Sequence, residues 1–237
     1  MGPPIYTKYT VNYYYNHILM PKPLKIAHRG FGAKDNTLLA FRYAVHAKFD
    51  VLELDLHQTK DKRLILCHDL FIGPYNVEYT PYDTLKMYES DLITLDVFFK
   101  HFPSRNHRVY LDLKGRDEIV ATLYKYVLSH NVCVENIMVA SFNKYHLEAL
   151  HYSQMSWKIG FITCNTLRQN EYESILYIAD FLVVHYNTLS NELMTIVNHL
   201  DKKLFTYTCD NEYALRYILK YKVHGIVSDI LLEDKRI

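Results

Sequence analysis

The sequence predicts a closed (β/α)8 barrel, the TIM-barrel architecture, on three observations: eight short β-rich runs, amphipathic helical stretches between them, and a length suited to one such domain. The 237 residues are 49% apolar, 14% aromatic and 22% charged, the composition of a globular chain with a sizeable core. Lengths of about 200 to 250 residues are common for a single α/β barrel, so one domain suffices.

The β-rich runs extend from Leu24 to Ala27, Val51 to Leu56, Val109 to Leu113, Ile137 to Ala140, Lys158 to Ile162, Phe181 to Val184, Lys203 to Tyr207 and Gly225 to Val227. Helical patterns intervene at Leu38 to Ala47, Asp117 to Ser129, Lys144 to His151, Asn191 to Leu200 and Glu212 to Tyr221. Strands that alternate with such segments form parallel β-α-β units, and eight of them close into a barrel, with a doubly wound open sheet as the alternative. The barrel domain is expected over residues 24–237, with a short insertion after the second strand. Residues 1–23, rich in Tyr and Pro, form an N-terminal extension expected to pack on the barrel or to join chains in a homo-oligomer. Tyr13, Tyr14 and Tyr15 there carry a lesser expectation of lipid contact.

Charge and patterning exclude several partners. The 27 Lys and Arg against 26 Asp and Glu leave a formal charge of +1, without the clustered basic excess that nucleic acid or an anionic membrane attracts. No run reaches the roughly 18 apolar residues of a spanning helix, so no transmembrane segment is expected. The N-terminus lacks the basic start, apolar stretch and small-residue site of a signal peptide, which points to the cytoplasm. Cys67, Cys133, Cys164 and Cys209 make no C-x-x-C pair and read as reduced core thiols.

Each strand ends in a polar residue, and in a barrel those ends converge on one face. They are His28 and Arg29, Glu53 and Asp55, Asp112 and Lys114, Ser141, Thr163, His185, Thr208, and Ser228 with Asp229. Ser141, Thr163, Ser228 and Asp229 read first as caps or turn formers. Glu53 and Asp55 are two residues apart, so they share the strand face opposite Leu52, Leu54 and Leu56. Both faces of a barrel strand are buried, and two like charges there call for a neutralising cation. Asp112 and Lys114 repeat the spacing on the next barrel strand. Three oxygen donors without sulfur or imidazole favour Mg²⁺, Ca²⁺ or Mn²⁺ over zinc. Lys114 either faces a bound anion or pairs with Asp112 or Glu53. His28 and His68 reach the same mouth as an acid/base pair, and the fork of Arg29 suits a phosphate.

These residues resemble the glycerophosphodiester phosphodiesterase family. Its opening H-R-G, E-N-T and A-F are matched by His28-Arg29-Gly30, Asp35-Asn36-Thr37 and Ala40-Phe41. Its E-x-D-x-x-x-T-x-D is matched by Glu53, Asp55, Thr59 and Asp61, and its H-D by His68-Asp69. Asp112 and Lys114, Ser141-Phe142 and Gly225 to Asp229 complete the order. The resemblance implies a metal-dependent hydrolase that converts a glycerophosphodiester to glycerol 3-phosphate and an alcohol. Glu53, Asp55 and Asp112 become metal ligands, His28 and His68 the acid/base pair, and Arg29 and Lys114 the phosphate contacts. Asp35 and Asp112 stand where the family usually has glutamate. Tyr207 replaces a usual tryptophan and becomes a substrate wall with an added hydroxyl. Residues 69–96 are shorter than the family's headgroup-covering insertion, which implies a relatively open mouth. Two other readings are a phospholipase D-type cleavage of lysophospholipid or sphingomyelin through a cyclic phosphate, and a non-catalytic phospho-ligand-binding barrel.

Overall fold

The structure, a computed structural model, describes residues 10–13 and 22–234. Eight parallel strands form its centre: β1 (Leu24–Ala27), β2 (Val51–Gln58), β3 (Arg108–Leu113), β4 (Ile137–Ser141), β5 (Lys158–Thr163), β6 (Phe181–His185), β7 (Lys203–Cys209) and β8 (Gly225–Ser228). Each pairs with the next, and β8 pairs with β1 in the register Gly225 to Leu24 through Ser228 to Ala27, which closes the barrel. All eight expected strands are present, several longer by one or two residues at the end that carries the polar groups.

Helices α1 (Leu38–His46), α4 (Glu118–His130), α5 (Lys144–Tyr152), α6 (Gln169–Ile178), α7 (Asn191–His199) and α8 (Glu212–Ile218) each follow a strand. Thr37, Asn143, Ser190 and Asn211 accept a backbone N–H from the first turns of α1, α5, α7 and α8, satisfying donors that a helix start leaves open. Asn131 ends α4 in the left-handed region, where asparagine is tolerated. Among these six helices the one missing from the sequence expectations is α6, whose buried side chains are only Tyr172, Ile175 and Leu176 among polar neighbours.

Strand alternation produces two separate cores. Leu52, Leu54 and Leu56 of β2 and Leu111 and Leu113 of β3 face outward, against helix residues such as Phe41, Phe98 and Leu123. Ile26, Val51, Tyr110, Ile162, Phe181, Val183, Phe205 and Val227 fill the barrel interior. The interior set packs below the mouth, so polar side chains at the strand ends meet a dry floor. Phe41 is fully buried and meets Phe98 and Phe102 in edge-on contacts at 4.9 and 5.9 Å.

The β2–β3 connection folds over one side of the mouth. Leu64–Leu66 runs back antiparallel along the end of β2, with Leu56 opposite Leu66. A small hairpin (Phe71–Ile72 with Tyr75–Asn76) and helices α2 (Tyr82–Tyr88) and α3 (Leu95–His101) complete it. At the other end of the chain Leu231–Asp234 pairs in parallel with Thr10–Tyr13. The rest of the N-terminal extension, Tyr14 and Tyr15 included, lies outside the described residues, as does what was expected of it. All four cysteines are free, but only Cys209 is buried and Cys164 is exposed, because it follows β5 at the rim; the core-thiol expectation fails there. No helix among the described residues is long and apolar enough to cross a membrane.

Phe41→Ala removes a ring with no solvent exposure from the outer core, and such truncations lower stability by about 3–5 kcal/mol. Urea unfolding monitored by circular dichroism reads this directly, and a loss under about 1 kcal/mol contradicts the packing described.

Candidate active site

The barrel mouth holds a cavity of about 120 Å³ that is lined by all eight side chains singled out from the sequence: His28, Arg29, Glu53, Asp55, His68, Asp112, Lys114 and Tyr207. Register explains the convergence. Asp55 of β2 is paired with Asp112 of β3, and Glu53 with Tyr110, so the two carboxylates on β2 and the one on β3 lie on the inner face. One oxygen from each of Glu53, Asp55 and Asp112 lies within 4.8 Å of the others, and all three residues are buried.

The cluster is incompletely neutralised. Lys114 Nζ is 2.5 Å from Asp112 Oδ2 and 3.1 Å from Asp55 Oδ1, so it bridges both strands, in agreement with the salt-bridge reading for Asp112. Arg29 Nε lies 3.0 Å from Asp55 Oδ2 as an ion pair rather than an aligned hydrogen bond. Asn36 Nδ2 donates to Asp55 Oδ2 at 3.0 Å, and the Asp55 amide donates to Asn36 Oδ1 at 3.2 Å. Burial pushes Asp55 upward, but Lys114, Arg29 and the Asn36 bond together hold it below the usual carboxylate value. Glu53 instead takes a backbone N–H from Arg29 at 2.8 Å. Burial, then the Asp55 charge, raise Glu53 to about 8. Burial raises Asp112 to about 7 against the opposing pull of Lys114. Asp112 Oδ1 is buried without a hydrogen-bond partner. Buried carboxylates with an unused oxygen, all-oxygen donors and too little positive charge fit a hard divalent cation.

The loop after β1 supplies the opposite wall. Arg29 adopts a positive φ of 55°, and Gly30 follows at 95°. A Cβ on Gly30 would come within 2.5 Å of Ala40 Cβ, so only glycine lets the loop lie against α1. This tight turn aims the Arg29 amide at Glu53 and its side chain at Asp55. His28 Nδ1 lies 2.7 Å from Asp229 Oδ1. Burial lowers the His28 pKa, but the Asp229 hydrogen bond and the Glu53 charge outweigh it and raise it. His68 Nδ1 is 2.7 Å from Asp69 Oδ1. Tyr207 meets Phe142 at 6.0 Å and His185 at 5.5 Å, both edge-on, and Lys114 Nζ lies 5.5 Å from the Phe142 ring centre. A second cleft of about 320 Å³ shares Arg29 and His68 and runs toward Phe71 and Tyr88 of the insertion.

Several expectations are revised by these contacts. Ser141, Thr163 and Ser228 do close turns, accepting the amides of Asn143, Asn165 and Ile230. Asp229, expected beside them as a turn former, is the partner of His28. Asp35 is exposed and, among the described residues, pairs only with Arg29, at 3.4 Å; it lies outside the carboxylate cluster. Asn36 and His57 had no assigned function from sequence, although His57 continues the alternation of Glu53 and Asp55.

A (β/α)8 barrel whose mouth gathers three buried carboxylates, two cations and two carboxylate-backed histidines defines an enzyme site for an anionic substrate. The model of the glycerophosphoryl diester phosphodiesterase family matches residues 28–232, and the chain belongs to that family; it is a phosphoric diester hydrolase. A glycerophosphodiester phosphodiesterase of Caldanaerobacter subterraneus is 26% identical over 230 residues, covering 88% of this chain and 94% of its own. The crystal structure of a glycerophosphodiester phosphodiesterase from Parabacteroides distasonis is similar with a TM-score of 0.77 at 19% identity, covering 88% of this chain and 93% of that one. An Oleispira antarctica phosphodiesterase in complex with the product sn-glycerol-3-phosphate has a TM-score of 0.74 at 18% identity, over 88% and 94% of the two chains.

The raised carboxylates carry a pH signature. Glu53 and Asp112 keep their protons up to about 8 and about 7 in the folded chain, against ordinary values of 4.5 and 3.8. The folded state then binds more protons than the unfolded one across this window, so these two groups make stability fall as pH rises through it. A bound cation opposes that loss. In chelator, this pair's contribution to Tm should decline from about pH 5 to about pH 8, and a divalent cation should raise Tm more at the upper pH. An equal cation-induced shift at both pH values would contradict the assignment.

Proposed function

We propose that the chain hydrolyses glycerophosphodiesters to glycerol 3-phosphate and an alcohol, with a divalent cation held by Glu53, Asp55 and Asp112. The observation that carries the reading is the approach of three buried carboxylate oxygens to within 4.8 Å of one another at a cavity that His28 and His68 also line. Mg²⁺, Ca²⁺ and Mn²⁺ all suit the donors, and such an ion would polarise a phosphoryl oxygen and lower the pKa of a bound hydroxyl.

The remaining work falls to side chains. Arg29 and Lys114 present N–H donors to the non-bridging phosphate oxygens, where negative charge builds as the diester is cleaved. Asp229 and Asp69 engage the Nδ1 atoms of His28 and His68, leaving each Nε2 to exchange a proton. One imidazole removes a proton from the attacking hydroxyl, and the other delivers one to the leaving alkoxide. Tyr207, braced by Phe142 and His185, offers an apolar wall to the glycerol carbons. The sn-glycerol-3-phosphate bound by the Oleispira antarctica relative supports this product, as do the two cations beside the carboxylates. The cytoplasm remains the expected location.

The direct test is hydrolysis of glycerophosphocholine, with glycerol 3-phosphate measured by a coupled dehydrogenase. Chelation should abolish turnover, and Mg²⁺, Ca²⁺ or Mn²⁺ should restore it; full turnover in a sample shown to be metal-free contradicts the reading.

General acid/base groups contribute about 10² to 10⁴-fold each, so His28→Ala and His68→Ala should lose most of kcat while keeping the wild-type circular dichroism spectrum. A folded variant with wild-type kcat across the pH range removes that histidine from the mechanism.

A further inference from the structure

We propose that His57 is a positioning residue, which holds the His68 segment over the carboxylates through a hydrogen bond to the His68 backbone carbonyl. This rests on the reading above that His68 transfers a proton. His57 is on the inner face of β2, two residues beyond Asp55, and is 2% exposed. Its Nε2 lies 3.3 Å from the His68 carbonyl oxygen. A carbonyl has no proton to give, so the contact requires the hydrogen on Nε2 of the imidazole.

Packing alone does not account for a histidine here. Nδ1 of His57 is buried without a hydrogen-bond partner, a desolvation loss that an apolar side chain of similar size would avoid. The one side-chain bond it makes among the described residues goes to the segment that carries His68. That segment is tied to β2 at a second point, where the Cys67 amide donates to the Asp55 carbonyl at 3.1 Å. The His68 imidazole itself is 44% exposed and, among the described residues, hydrogen-bonded only to its neighbour Asp69, so the backbone must set its location. The other edge of His57 meets the loop after Lys114: a Cβ on Gly115, at a φ of 76°, would lie 3.4 Å from His57 Nδ1. His57 therefore sits between the loops that present His68 and Lys114, and is not among the residues that line the mouth cavity.

The test uses the full chain with glycerophosphocholine and saturating divalent cation. His57→Phe keeps a ring but removes the donor, His57→Leu removes it with a smaller side chain, and His57→Gln keeps an N–H near the position of Nε2. Displacing a reacting group by about 1 Å can lower rates about 10²-fold, so His57→Phe and His57→Leu should lose about 10-fold to 10²-fold in kcat with KM little changed. His57→Gln should recover most of kcat, and cation affinity measured by calorimetry should match wild type in all three. Equal losses in the Gln and Phe proteins, or a folded Phe or Leu protein with wild-type kcat, overturn the inference. So does weakened cation binding on the scale of Glu53→Gln, which would make His57 part of the cation site. His68→Ala is measured alongside: wild-type kcat there overturns the proton-transfer reading and this inference together, whereas a large loss there with none in His57→Phe overturns the inference alone.

Discussion

Three carboxylates crowded onto the inner face of two adjacent barrel strands are the constraint that organises this molecule. Glu53, Asp55 and Asp112 are buried where like charges repel strongly, and nearly every feature of the mouth responds to that. Lys114 bridges β2 and β3, Arg29 turns inward from a left-handed backbone, and Asn36 clasps both the side chain and the amide of Asp55. These contacts favour ionised Asp55 but leave Glu53 and Asp112 with raised proton affinities. The arrangement is one whose charge either retained protons or a divalent cation would relieve, and the proposed function uses the cation.

The barrel makes this crowding tolerable. Leu52, Leu54 and Leu56 carry the outer packing of β2, so the inner positions near its end are released from core duty. Tyr110, Ile162, Phe181 and Val183 close the interior beneath. Stability and chemistry are divided between the two faces of one strand. A substitution at Leu54 should unfold the chain, whereas one at Asp55 should first change what the mouth binds.

The fold was legible because each strand is a compact β-rich run whose helical successor begins at a clear signal, as with Thr37 before α1 and Ser190 before α7. Helix α6 lacked that legibility, since Gln169, Asn170 and Glu171 dilute its apolar face. Residues that repeat at a spacing of two, Glu53 with Asp55 and Asp112 with Lys114, disclosed their shared face locally. Partnerships formed across the barrel did not. Asp229 meets His28 from 201 positions away, and a single aspartate at a strand end carries no mark of that. Asn36 reaches Asp55 only because the Arg29-Gly30 turn folds the loop inward. His57 was readable in principle, being the next inward position after Asp55, but a histidine that bonds a backbone carbonyl leaves no pattern in sequence.

Whether Glu53, Asp55 and Asp112 share one divalent cation, as proposed, is tested most directly by anomalous diffraction from crystals grown with Mn²⁺. One strong anomalous peak is expected within coordination distance of all three carboxylates, about 2.0–2.4 Å from their oxygens, with loss of that peak in Glu53→Gln crystals. A fully occupied Mn²⁺ elsewhere on the protein, with Lys114 still bridging Asp55 and Asp112 and no peak between the strands, would contradict the proposal.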